Sequence, residues 1–283
     1  MNKLFQEKQP LINVGLQSFA DSIVAAGGKA VQLDWTPPAG GNRAAGWCLA
    51  QLLNHPSLEA ANEKAYAAFL AAQPVLAGIG VAREHLPDMD DRMILHAGPP
   101  IAWKEMCGPM QGAVIGAILY EGWAADADAA WRLAGSGSVA FEPAHHHAAV
   151  GPMAGVISPS MPVWIVENAA GRNRAFCNLN EGLGKVLRFG ANSAEVIKRL
   201  QWMARVLAPA LGAALAKLGP MELKPLIAQA LQMGDEVHNR NAAASSLFLK
   251  KIVPAALHSG FDAAAIADAV TFIAGNDHFF LNL

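Results

Sequence analysis

The stretch from Phe141 to Gly190, FEPAHHHAAVGPMAGVISPSMPVWIVENAAGRNRAFCNLNEGLGKVLRFG, constrains this chain more than any other. Glycine and proline punctuate it too often for a long helix, so it must fold as short strands joined by turns. Its polar residues sit between apolar segments, and any that turn inward must find hydrogen-bond partners. In a sequence with only 16% charged residues, it gathers three consecutive histidines, several asparagines, Glu181, Lys185 and Arg188. Chemistry is therefore sought there first.

Within it, Val139 to Glu142 reads as a strand leading into the loop EPAHHH. An extended loop would point His145 and His147 one way and His146 the other, which makes His145 and His147 candidate catalytic residues. No acidic or thiolate third ligand stands at a standard spacing, so no metal site is assigned and hydrogen bonding to an anionic substrate is preferred. Val163 to Val166 and Ala175 to Leu179 form two further strands joined by the polar turn around Gly171. On the second, Phe176, Asn178 and Asn180 share one face. Gly182-Leu183-Gly184-Lys185 has neither the spacing of a P-loop nor the hydroxyl residue after the lysine, which excludes that type of ATP site. Lys185 and Arg188, three apart, would share a helix side and clamp an anion, with two solvated charges as the alternative.

The rest of the chain is read around this segment. Leu11 to Leu16, the helical spacing of Phe19, Ile23 and Val24, and Lys29 to Trp35 make a βαβ unit without the G-x-G-x-x-G fingerprint, so no nucleotide cofactor is claimed and the cofactor is left unknown. Thr36 to Asn42 is a loop, Ser57 to Ala72 a helix, and Pro74 to Val81 and Met93 to His96 are strands. An open, mostly parallel α/β sheet assembles them. Gly108 to Ile115, GPMQGAVI, is echoed at Gly151 to Ile157, GPMAGVI. Pro109 suits the opening of a helix running to Glu121. Gly108, Gly112, Gly151 and Gly155 become phosphate-cradle candidates, set against the plainer reading that they permit close packing.

From Asn192 the texture is helical, with Asn192 and Glu195 as a capping pair and an apolar stripe from Ile197 to Leu211. A second helix runs from Leu223 to near Gly234, and a third is expected to start at Asp235. On that third helix Asp235 and His238 form a candidate proton-transfer pair, and Glu236 and Arg240 an i,i+4 ion pair. Asn239 and Arg240 join the candidate substrate-binding residues. So do Glu181, Lys185, Arg188 and the Asn276, Asp277 and His278 of GNDHFFLNL, a segment too apolar not to pack on something. The expected organisation is α/β: a Rossmann-like open sheet over 1–135, a mixed strand and loop region over 136–190, and a mostly helical part over 191–283.

A formal charge of -2 from 21 basic and 23 acidic residues gives no broad attraction to nucleic acid or anionic lipid. MNKLFQEKQP lacks the apolar core of a secretion signal and no apolar run is long enough to span a bilayer, so a cytoplasmic protein is expected. Three widely spaced cysteines, Cys48, Cys107 and Cys177, indicate neither a disulfide framework nor a thiolate zinc site.

The phrases HAGPPI, CGPMQGAVIGAILYEG, HHHAAVGPMAGVIS, SMPVWIVEN, NRAFCNLNEGLGKVLRFGAN, LIAQALQMGDEVHNRN and GNDHFFLNL resemble, across essentially the whole chain, the YlbE/YahG-like family. Its members resemble the AllG subunit of a multi-subunit oxamate carbamoyltransferase and are encoded beside FdrA-type proteins. The resemblance implies transfer between carbamoyl phosphate and oxamate in allantoin (purine) catabolism, in an oligomer with FdrA-like and other subunits and a small anionic substrate. Two departures stand out. Ala144 stands where the family commonly has a cysteine, and the family continues beyond NDHFFLNL, which implies a shorter or divergent member. The S-T-R-T phosphate loop of ordinary carbamoyltransferases is absent. Other expectations are a non-catalytic partner of an FdrA-like subunit, or a metal-dependent hydrolase of a cyclic imide or ureide.

Overall fold

The computed structural model describes residues 10–36, 39–151 and 155–283, a mixed α/β fold with a helical C-terminal part. The chain divides into two compact units, the second beginning at Ala71. In the first, β1 (Pro10–Val14), α1 (Gln17–Ala25) and β2 (Lys29–Leu33) form the βαβ unit read from the sequence, its strands parallel with Leu11 beside Ala30. Gly27, at φ +79°, makes the turn after α1. Helix α2 (Arg43–Leu53) was not anticipated, although Asn42 caps it by accepting from the Ala45 N–H at 3.0 Å. Helix α3 (Pro56–Ala71) follows.

The second unit is built on two sheets. In chain order it contains β3 (Pro74–Val81), α4 (Ala82–His85), β4 (Met93–His96), α5 (Gly108–Tyr120), α6 (Ala127–Ala134), β5 (Ala140–Pro143), β6 (Ala149–Val150), β7 (Val156–Ile157), β8 (Pro162–Asn168), β9 (Arg174–Asn178), α7 (Ala194–Trp202), α8 (Ala208–Leu218), β10 (Met221–Glu222), α9 (Leu223–Gln232), α10 (Ala242–Leu257) and α11 (Ala263–Ala274). One sheet has the order β10-β3-β8-β9-β6, the other β5-β4-β7. β3 and β4 fall where the sequence puts them, but β3 pairs antiparallel with β8 and β10, and β4 pairs parallel with β5 and antiparallel with β7. A mostly parallel sheet is therefore not what these strands make. The short β8–β9 hairpin allows antiparallel neighbours without a crossover, and β8 then supplies β3 with its partner.

Strand alternation divides the core. Trp164 of β8 and Cys177 of β9 face the principal core with the helices, while Val163 and Phe176 face a smaller cluster with Met93 and Leu95 of β4. In the principal core Trp164 meets Phe248 and Phe279 edge to face, with Trp164 and Phe279 centroids 5.6 Å apart. The apolar tail thus has its packing surface, since Phe279 is fully buried. A π-helical turn, Met203–Leu207, joins α7 to α8. Among the described residues no helix is long and apolar enough to cross a membrane.

Candidate functional site

The C-terminal segment docks through amides. Asn178, the last residue of β9, and Asn180 just beyond it both reach Asn282. Its Nδ2 donates to the Asn178 carbonyl (3.0 Å) and Oδ1 (2.9 Å), and its Oδ1 accepts from Asn180 Nδ2 (3.1 Å). Asn276 Nδ2 donates to the Asn180 carbonyl at 3.3 Å, and Asn276 Oδ1 accepts from the His278 N–H at 3.0 Å. Asn241, fully buried, receives the same segment by donating its backbone N–H to the Asp277 carbonyl at 2.7 Å.

Asn276, Asp277 and His278 of this segment line a cleft of about 470 Å³ together with Glu181, Gly182 and Arg199, among others. Arg188 lies beside it. Its Nη2 donates to the Gly182 carbonyl at 3.1 Å, and its guanidinium carbon stacks 4.2 Å from the centre of the Phe189 ring. The residue is only 7% exposed, yet its Nε has no partner, and among the described residues no carboxylate lies within ion-pair distance. His278, 8% exposed, has an unpaired Nδ1. Burial and then the Arg188 cation hold its imidazole below the ordinary value, with His238 acting the same way and Asp277 and Glu236 opposing. A half-satisfied buried guanidinium beside a neutral imidazole can accept a small oxyanion. Asn241 Oδ1 and Ser245 Oγ are likewise buried without partners.

Glu181 supports this arrangement. Both its oxygens accept from the Leu187 N–H, at 3.0 and 2.9 Å, and the Arg188 N–H also bonds to it. Burial nevertheless pushes its carboxyl above the ordinary range, outweighing those bonds and the attraction of Arg199 and Arg188.

Several candidates from the sequence lie elsewhere or act differently. Ala144–His147 is a 3₁₀ turn rather than extended, so His145 and His147 do not align. His147 is buried with Nδ1 2.7 Å from the Pro87 carbonyl, and His145 is exposed with its ring against His146. None of the three lines the cleft, and among the described residues no set of three His, Cys, Asp or Glu side chains is placed to hold a metal. Lys185 is exposed ahead of the Leu187–Phe189 turn, so the shared helix side expected of Lys185 and Arg188 does not exist; the Lys185 carbonyl instead accepts from Arg199 Nη1 at 3.1 Å.

The segment Asp235–Asn241 is not helical, and Val237 at φ +50° interrupts it. The spacings that would join Asp235 to His238 and Glu236 to Arg240 on a helix are therefore lost. Asp235 still caps α10, across a bend, by accepting from the Ala244 N–H at 2.8 Å. His238, Asn239 and Arg240 are exposed, and Arg240 donates to the Gly234 carbonyl at 3.4 Å.

Of the glycines, Gly112 serves packing. A Cβ there would stand 2.3 Å from the Gly190 carbonyl oxygen, whereas Gly108, at the exposed start of α5, has open space around it. Asn192 is not a cap but donates its amide to the Gly112 carbonyl at 3.1 Å, and Ser193 takes the cap position of α7. In the echoed phrase Gly151 lies beside Asn178 and Gly155 is buried, while residues 152–154 fall outside the described residues. Sequence reasoning missed Arg199, Asn241 and Asn282. An asparagine in so apolar a tail was the available signal for the last.

A family model described as oxamate carbamoyltransferase subunit AllG matches residues 139–283. Two proteins of Escherichia coli (strain K12) are similar. YahG is 42% identical over 279 residues, covering 98% of this chain and 59% of YahG. Oxamate carbamoyltransferase subunit AllG is 48% identical over 195 residues, covering 69% of this chain and 46% of AllG. The chain thus spans about half the length of these relatives. A crystal structure of a conserved protein of unknown function from Enterococcus faecalis V583 superposes with a TM-score of 0.77 at 44% identity, covering 80% of this chain and 54% of that one.

Proposed function

The chain belongs to the family of oxamate carbamoyltransferase subunit AllG, and from that membership we propose that it is a subunit of a cytoplasmic carbamoyltransferase-type complex. The complex acts on carbamoyl phosphate and oxamate or oxalurate in allantoin breakdown, with an FdrA-like protein among its partners. The observation that carries the reading to this chain's own residues is the buried Arg188 guanidinium with its unpaired Nε beside the cleft.

In carbamoyl transfer the oxamate amide nitrogen bonds to the carbamoyl carbon, the bond from that carbon to the phosphate oxygen breaks, and phosphate departs as the nitrogen loses a proton. Fixed cations aimed at the substrate carboxylate or the leaving phosphate lower the barrier because they need not reorganise. Arg199 is the cation in the lining of this cleft, and Arg188, bonded to the Gly182 carbonyl, is the one beside it. His278, held neutral by its surroundings, is the group able to take the proton through its free Nδ1. Asn276, tied to the Asn180 carbonyl, fixes the wall from which Asp277 and His278 project.

The test is phosphate release from carbamoyl phosphate and oxamate by the assembled complex. With Arg188→Gln the rate is expected to fall about 10²–10³-fold, the usual cost of losing a preorganised charged donor. Full activity of that variant in an intact complex overturns the assignment of the cleft.

A further inference from the structure

We propose that Glu181 is the built-in countercharge of the Arg188 site, positioning the guanidinium when the cleft is empty and taking up a proton when a small oxyanion binds. The inference rests on the cleft being an anion site and adds how that site is regulated.

Glu181 and Gly182 hold one residue at its backbone and at the tip of its side chain. The Glu181 carboxylate takes the N–H groups at Leu187 and Arg188 and so sets the turn from which Arg188 hangs, while the Gly182 carbonyl takes the guanidinium itself at 3.1 Å. The carboxylate attracts Arg188 without standing at ion-pair distance, and the guanidinium Nε has no partner. Glu181 borders the cleft on one side. On the other it borders a small pocket of about 20 Å³ lined by Tyr120, Asn178 and Met203, among others.

An oxyanion entering the cleft would bring a second negative charge beside the buried Glu181 carboxylate. Two like charges this close raise the cost of keeping both ionised, an effect that Arg188 and Arg199 offset only in part. Glu181 is the carboxylate placed to respond, since it lines the cleft and its burial favours the protonated form. Anion binding therefore draws a proton onto Glu181, and affinity rises as pH falls. The other titratable groups facing the site are Arg199, Asp277, Glu236, His238 and His278. Protonation of the histidines acts in the same direction, so the contribution of Glu181 must be isolated by substitution.

Titration calorimetry of oxamate binding to the full chain, in two buffers of different ionisation enthalpy between about pH 6 and 8, counts the protons taken up. Glu181→Gln is expected to tighten binding at the alkaline end about tenfold, the equivalent of one pKa unit, and to reduce proton uptake. Glu181→Ala, which abolishes the clamp on the turn, is expected to weaken binding. Wild-type affinity, pH profile and proton count in Glu181→Gln overturn the inference, as does weaker binding with an unchanged count, the mark of a purely structural residue. If Glu181→Gln does not fold, absence of proton uptake by the wild type overturns it. Failure of the wild type to bind oxamate at all removes the anion site itself, a different result from binding that ignores Glu181.

Discussion

Asn180 donates its side-chain amide to Asn282 at 3.1 Å across 102 residues of sequence, in a buried setting. Asn282 in turn donates to the Asn178 carbonyl and side chain, so one residue near the end of the tail closes three bonds to β9 and the loop after it. Replacing Asn282 by alanine leaves buried amide groups without partners, a penalty of about 2–4 kcal/mol when more than one group is stranded. Urea unfolding should show this as a lower midpoint with an unchanged slope. A midpoint equal to wild type would mean that the tail is held by its other contacts, the Asn276 and Asn241 bonds and the buried Phe279 and Phe280.

Helix α5 and the turn at Gly190 touch backbone to backbone. A Cβ on Gly112 would lie 2.3 Å from the Gly190 carbonyl oxygen, and backbone on both sides leaves little room to yield. Gly112→Ala is expected to cost about 1–3 kcal/mol. Gly108→Ala, with nothing near the added methyl, should stay within about 0.5 kcal/mol of wild type. Thermal unfolding of the pair separates the packing role of the first glycine from the exposed helix start of the second.

The legible parts of the fold were those with local signatures. β3 and β4 are short apolar runs with clear boundaries, and Pro109 marks the start of α5. Candidate pairs argued from helical spacing failed where the helix was absent. Lys185 lies ahead of a single 3₁₀ turn, and Asp235 lies in a non-helical segment that doubles back to cap α10. Nothing within a few residues of Asp235 announces that bend, because its partner is the N–H of Ala244. Arg188, His278 and Asn276 were singled out as polar residues in apolar surroundings. Their meeting depends on Asn180 and Asn282, and a contact over such a separation has no periodicity to read. The parallel sheet was overextended because an apolar strand looks the same in sequence whichever way its neighbour runs.

Cys177 lies on β9 facing the principal core, and burial pushes its thiol up to about 12. Thiolate, not thiol, reacts with disulfide reagents. At about pH 8, a thiol reagent should therefore modify exposed Cys107 in the native protein and spare Cys177 until unfolding. Peptide mapping before and after denaturation identifies the sites. Prompt native labelling of Cys177 would show that β9 opens locally on the time scale of the reaction.

His278 offers the most direct view of the cleft. Its imidazole is held below 6.5 by burial first and the Arg188 cation second, against the opposing pull of Asp277 and Glu236. Arg188→Gln should raise its titration midpoint, and Asp277→Asn should lower it further, both followed by NMR of the ring protons. The linkage has a definite sign. The unfolded chain binds the proton more tightly, so the stability that neutral His278 contributes above 6.5 is lost as pH falls through that value toward the lower folded one. Exchanging His278 for glutamine should flatten that part of the stability profile. A midpoint unmoved by Arg188→Gln would place the guanidinium outside electrostatic reach of the imidazole, and the two could not then share a ligand.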